Sequence, residues 1–214
     1  MSTLLYVQSS LYGAQGASSQ LAESFVAQWL SNNPGGRVIR RDLAADPAPH
    51  LTAERFQAFN TTPEARTPEQ QAVVAYSDAL IDELRSADTI VLGVPMYNFS
   101  VPSTLRTYFD HIARAGVTFH YTSAGPQGLL AGRRAYVFVT RGGVYSAAAD
   151  TQVPYLRQFL GFIGIESEFV FAEGLGLGEE SRRKSLGEAR AQIAGFNSVE
   201  LRSEEHTSEL QSPI

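Results

Sequence analysis

The chain predicts an α/β fold, a doubly wound parallel sheet of five strands in the order 2-1-3-4-5 with helices on both faces. Apolar strand-like runs alternate with helical patterns from residue 3 to residue 195, as in successive βαβ units. Right-handed crossovers between such strands place helices on both sides of the sheet. Five strands suit the 2-1-3-4-5 order, in which ligands sit outside the carboxyl ends of the strands. Residues 1–201 read as one domain, with no internal repeat and no low-complexity segment.

The elements follow in order. Thr3–Gln8 is the first strand. Ser18–Asn32 is a helix with Leu21, Phe25, Val26, Trp29 and Leu30 on one stripe. Asn33-Pro-Gly-Gly36 is a turn, and Arg37–Asp42 a short second strand. Residues 43–68 are polar and proline-dotted, with a short helix near Thr52–Phe59. Glu69–Arg85 is a long helix, and Thr89–Val94 the buried third strand. Ser103–Arg114 is a helix carrying Leu105, Tyr108, Phe109 and Ile112. Val117–Tyr121 and the Gly125-Pro-Gln-Gly128 turn form an extended excursion. Arg134–Thr140 is the fourth strand, Thr151–Ile163 a helix, Glu166–Phe171 the fifth strand and Glu179–Gly195 the last helix. Residues 202–214 have neither periodicity and resemble translated sequencing-adapter sequence, so they are expected to be a non-native or disordered tail.

Composition narrows the function. The 214 residues are 43% hydrophobic, enough for a sizeable core. Net charge is −5 with no Lys/Arg block, which argues against nucleic-acid or anionic-membrane partners. The absence of cysteine excludes disulfides and thiolate chemistry. No apolar stretch approaches the roughly 20 residues of a membrane helix. The first residues run straight into a strand without a basic or long apolar leader, so a cytoplasmic protein is expected.

Three loops have ligand-like composition and share one sheet edge. Ser9–Ser19 joins the first strand to its helix, where free N–H groups and the dipole attract phosphate. It lacks G-x-G-x-x-G, its glycines being Gly13 and Gly16, and it lacks the P-loop lysine. An ordinary βα loop with Ser18 as helix cap is the alternative. Pro95-Met-Tyr-Asn-Phe99 follows the third strand with an amide and flat apolar faces. Thr140-Arg-Gly-Gly143 follows the fourth, where two glycines allow close backbone approach to a ligand, with a plain turn as the alternative. No G-x-S-x-G elbow occurs, and no histidine pair has metal-ligand spacing. His111, beside Asp110, reads as solvent-facing or interfacial; Asp42, Asp46 and Asp88 read as caps and solvated charges. A chain poor in catalytic groups and rich in such loops leaves the chemistry to a cofactor.

Pro95-Met-Tyr-Asn-Phe99, Ser103-Thr-Leu-Arg-Thr-Tyr-Phe-Asp110, Ala113-Arg-Ala-Gly-Val-Thr-Phe119, Arg141-Gly-Gly143, Phe159–Ile165 and Phe169–Gly174, in that order, resemble the FMN-dependent NADH azoreductases, also described as FMN-dependent NADH:quinone oxidoreductases. The likeness runs from about residue 3 to about residue 197. It implies a flavodoxin-like homodimer with one FMN per subunit. It also implies a ping-pong cycle in which NADH or NADPH reduces the flavin and a quinone or azo compound then takes two electrons. By the same resemblance Ser10, Gly16, Ala17 and Ser18 hold the phosphate, Met96, Tyr97, Asn98 and Phe99 embrace the isoalloxazine edge, and Thr140, Arg141, Gly142 and Gly143 meet its pyrimidine side. The family often has serine where this chain has Gly16. Tyr121 and Phe162 are the candidates for aromatics that stack on substrate, shared across the dimer; core or interface packing is their alternative. A flavodoxin-type carrier of single electrons is the other functional reading, disfavoured by the modest net negative charge.

Overall fold

The computed structural model describes residues 2–196; the expected tail at 202–214 lies outside the described residues. In chain order the elements are β1 (Thr3–Gln8), α1 (Ala17–Asn32), β2 (Arg37–Asp42), α2 (Ala53–Asn60), α3 (Pro68–Ser86), β3 (Thr89–Pro95), α4 (Ser103–Ile112), β4 (Phe119–Thr122), β5 (Gly125–Gly128), β6 (Arg134–Thr140), α5 (Gln152–Phe162), β7 (Glu166–Ala172) and α6 (Glu179–Gly195). The five-stranded sheet runs β2-β1-β3-β6-β7, with every pair parallel. This is the predicted 2-1-3-4-5 order, because the predicted fourth and fifth strands are β6 and β7.

Burial along each strand sets this order. β3 is buried at every residue and β6 at all but its first, so both need neighbours on either side and cover on both faces. β2 and β7 are only partly buried and take the edges. Alternation then divides the core. Leu5 and Val7 join Leu80, Ile81, Leu92, Leu105, Phe109 and Leu156 under α3, α4 and α5. Leu4 and Tyr6 face the other way, onto Leu21, Phe25 and Trp29 of α1 and Ala189 and Ile193 of α6. Each large side chain so buried contributes about 1.5–3 kcal/mol.

Helix ends follow local chemistry. α3 begins at a capping box, Thr67 with Gln70, and has proline in its first turn. α4 ends at Ile112 rather than at the expected Arg114. Thr118 Oγ1 donates to the Ile112 carbonyl at 2.6 Å and accepts from the Arg114 amide at 3.0 Å, which turns the chain out of the helix. The excursion after α4 is an antiparallel β4–β5 hairpin. A Cβ on Gly128 would lie 2.1 Å from the Gly164 nitrogen, so the hairpin packs backbone to backbone on the end of α5.

His111 is not the solvent-facing or interfacial residue expected. It is fully buried, its Nδ1 is 2.9 Å from the Thr107 carbonyl, and Phe59 and Tyr76 meet its ring edge-on. Residues of α2 and α3 cover this face of α4, and burial lowers the imidazole pKa. Of the carboxylates, Asp46 is exposed and lies 3.6 Å from Arg41, while Asp42 accepts the Gln8 side-chain amide. Asp42 also accepts the Ala44 and Ala45 amides, and Asp88 accepts the Thr3 amide.

Candidate functional site

The loops after β1, β3 and β6 leave the same edge of the sheet, since Gln8 is level with Gly93 and Pro95 with Thr140. Ser9 Oγ donates to the Gly93 carbonyl at 2.7 Å, pinning the first loop to β3. Gly93 also lets α1 approach. A Cβ there would sit 3.4 Å from the Ser18 carbonyl oxygen. Helix α1 starts one residue earlier than expected, and its N-cap is Gly16 (φ −64°, ψ 141°), not Ser18. No side chain caps it. The N–H groups of its first turn have no intrahelical acceptor and carry the positive end of the dipole. Beside them the Ser18 hydroxyl is fully buried without a hydrogen-bond partner, a state that costs about 1–3 kcal/mol. A Cβ on Gly16 would fall 2.2 Å from Ser10 Oγ, so the cradle is closed to a side chain.

The loop after β3 is a tight turn. Tyr97 and Ser100 exchange N–H···O bonds of 3.0 and 3.1 Å. Between them Asn98 (φ 49°) and Phe99 (φ 66°) both adopt left-handed backbone, the signature of a type I′ turn. Asparagine tolerates this conformation; phenylalanine rarely adopts it and is held there. Thr151 Oγ1 donates to the Phe99 carbonyl, and Tyr145 meets the Phe99 ring edge-on at 6.1 Å. On its other side the turn reaches the first loop. The Tyr97 hydroxyl accepts the Leu11 amide at 3.2 Å and is 3.5 Å from Ser10 Oγ. Met96 N–H donates to the Thr140 carbonyl at 2.8 Å, tying the turn to the end of β6.

Arg141 directs its guanidinium inward. Nη2 is 2.7 Å from Asp150 and Nη1 3.1 Å from Glu173. Nε donates to Gln152 Oε1 at 3.3 Å, and the rings of Tyr145 and Phe171 flank the group. What the Thr140–Gly143 loop offers the crevice is therefore main chain, with Gly142 exposed and open space where its side chain would be. Burial raises the Asp150 pKa, but the Arg141 guanidinium and the Val153 and Gln152 amides outweigh it and hold the carboxyl below its ordinary value.

The β1, β3 and β6 loops thus come together, and Met96, Tyr97 and Asn98 also line a cleft of about 750 Å3 with Leu11, Tyr12, His50 and Arg106. Tyr121 and Phe162 are elsewhere. They join Phe119 in one aromatic cluster, with ring centroids 5.5 and 4.2 Å from it. Phe162 ends α5 just before Glu166, which pairs with Arg134 at the opposite, amino edge of the sheet. A seven-residue strand separates the two edges by roughly 20 Å. Tyr145, Asp150, Thr151 and Gln152 were not expected at the site. The only hint was the Asp-Thr-Gln run before an apolar helical stripe, a helix-start signal.

Among the described residues no group of three or more His, Asp and Glu could hold a metal, and no helix is long and apolar enough to cross a membrane. A family model described as a flavodoxin-like fold matches residues 2–195. The chain belongs to this flavodoxin-like family. An FMN-dependent NADH:quinone oxidoreductase of Cellvibrio japonicus is 54% identical over 184 residues, covering 85% of this chain and 92% of the relative. One from Burkholderia lata, FMN-dependent NADH:quinone oxidoreductase 6, is 50% identical over 196 residues, covering 91% and 99%. The crystal structure of an azoreductase from Bacillus anthracis superposes with a TM-score of 0.82 at 31% identity, covering 92% of this chain and all of that one. Flavodoxin-like topology is therefore shared with enzymes over nearly the whole described chain.

Proposed function

We propose that this protein is an FMN-dependent NADH:quinone oxidoreductase that also reduces azo compounds, with residues 1–201 as its single FMN-binding domain. The observation that carries the reading is the buried, unpartnered Ser18 hydroxyl at the uncapped start of α1. An anion there receives a hydroxyl and free N–H donors, which is what a ribityl phosphate needs. The named activities of relatives at 54% and 50% identity supply the chemical class.

Bound there, FMN supplies the two-electron carrier between NADH and the acceptor. The protein binds, orients and shields it. Ser10, Gly16, Ala17 and Ser18 hold the phosphate through hydroxyls and main-chain N–H groups. Met96–Phe99 and the main chain of Thr140–Gly143 flank the ring, and the Asn98 amide and nearby N–H donors favour negative charge on it. Phe99 and Tyr97 exclude water. The electron donor in this reading is NADH or NADPH.

In this reading Tyr121 and Phe162, too far from these loops to serve their own subunit, reach the partner's site across a homodimer. Quinones and azo compounds are flat and stack between such rings. A cytoplasmic location accords with a chain whose described helices include no membrane span.

The test is direct. Purified protein should be yellow or take up FMN, bleach on anaerobic NADH and recover colour on adding a quinone. A protein that takes up no FMN overturns the reading, and one that takes it up without bleaching overturns the enzymatic part.

A further inference from the structure

Gln152 is the first residue of α5, and its side chain is fully buried. Its two amide atoms face different loops. Nε2 donates to the Pro95 carbonyl at 3.1 Å, at the root of the Met96–Phe99 turn. Oε1 accepts from Arg141 Nε at 3.3 Å, at the root of the Thr140–Gly143 loop. Arg141 is fixed in turn by Asp150 and Glu173. Asp150 Oδ1 also accepts the Gln152 amide at 2.9 Å and the Val153 amide at 3.1 Å, which fixes Gln152 to the start of its helix. Next to it Thr151 holds the Phe99 carbonyl.

We infer that Gln152 is a positioning residue for the flavin-facing loops, setting the spacing of the Pro95–Phe99 turn from the Thr140–Gly143 loop. The inference rests on the FMN reading above. Each bond Gln152 makes is to a root rather than to the crevice, so it acts through the turn and not on ligand. Its amide is suited to the task because it donates on one side and accepts on the other. Glutamate at this position keeps the acceptor for Arg141 but sets an oxygen against the Pro95 carbonyl. Leucine keeps the volume and loses both bonds.

The experiment compares wild type, Gln152→Glu and Gln152→Leu. Apoprotein is titrated with FMN, the midpoint potential of the bound flavin is measured, and thermal unfolding of each apoprotein is recorded. Gln152→Glu should bind FMN about ten-fold more weakly, the scale of one buried hydrogen bond lost, and its flavin potential should shift. Its apoprotein should unfold at a lower temperature than wild type, because the buried Pro95 bond is lost there too, so affinity and potential are measured well below that temperature. Gln152→Leu should lose at least as much affinity; if it does not fold, Gln152→Glu alone decides. Wild-type affinity and potential in Gln152→Glu, whatever happens to the melting temperature, overturn the positioning role. Failure of wild type itself to bind FMN overturns the functional reading and this inference with it, so the two failures are distinguishable.

Discussion

Tyr97 and Ser10 stand hydroxyl to hydroxyl at 3.5 Å, joining the loop after β3 to the loop after β1. The Tyr97 oxygen already accepts the Leu11 amide at 3.2 Å, so its own proton is free for Ser10. Ser10 Oγ in turn accepts the Tyr12 amide at 3.2 Å. A loop proposed to hold the phosphate and a turn proposed to hold the ring are thus braced by one phenol.

Tyr97→Phe removes that brace and nothing else in the core. Tyr97 is only half-buried, so the melting temperature should change little. FMN affinity should fall by about three- to ten-fold, the scale of a net hydrogen bond. Fluorescence titration of apoprotein with FMN measures it, and an unchanged affinity would remove the brace from the account of binding.

Ser18→Ala should act with opposite sign on the two states. Without ligand the Ser18 hydroxyl is buried and unpartnered, so its loss should leave apoprotein stability unchanged or raised by about 1 kcal/mol. In the proposed FMN complex the hydroxyl donates to phosphate, so its loss should weaken binding by about ten-fold. Melting curves with and without FMN read both effects. A drop in apoprotein stability with unaltered affinity would make Ser18 a packing residue.

The Arg141 cluster should report on acid. The Asp150 carboxyl is held below its ordinary pKa, so the unfolded chain binds its proton more readily than the folded one. The stability it supplies is complete above the ordinary aspartate range near about 4 and is lost as pH falls through the lowered folded value. Asp150→Asn should therefore cost stability at neutral pH, and the gap from wild type should close as pH falls below about 4. Arg141→Ala leaves Asp150 and Glu173 without their shared cation and should cost about 3 kcal/mol at neutral pH. Urea unfolding at several pH values checks both; a gap that is constant with pH would exclude the Asp150 assignment.

A shared site should allow complementation. Phe162→Ala and Ser18→Ala each damage a different half of the proposed composite. In a mixed dimer one site collects both lesions and the other collects neither. Refolding the two variants together should give more quinone reductase activity than either refolded alone, with size-exclusion chromatography confirming the dimer. Activity equal to the average of the two would place both halves in one subunit.

The sheet was legible because parallel strands buried on both faces read as continuous apolar runs, and β1, β3 and β6 are such runs. The three loops were legible because topology alone puts them on one edge. Arg141 was legible as a loop residue but not as an inward-facing one. Its partners are Asp150 at the far end of the same β6–α5 connection, Gln152 on the first turn of α5 and Glu173 after β7, and a charged side chain gives no sign in sequence of where it turns. His111 is hidden for a similar reason. A histidine beside an aspartate on an amphipathic helix looks exposed, and only the packing of α2 and α3 over α4 buries it. The left-handed Asn98-Phe99 pair was hidden because phenylalanine does not announce that conformation, which glycine or a second asparagine would have done.

Position 16 cannot vary by itself. The place of its missing Cβ is 2.2 Å from Ser10 Oγ and 2.7 Å from Ser10 Cβ, so even an alanine requires the first loop to move. The two positions form an epistatic pair. Installing a serine at 16, as the resembling family often has, should be tolerated only once residue 10 is made smaller or turned away, and a library that varies position 16 alone would score it as immutable.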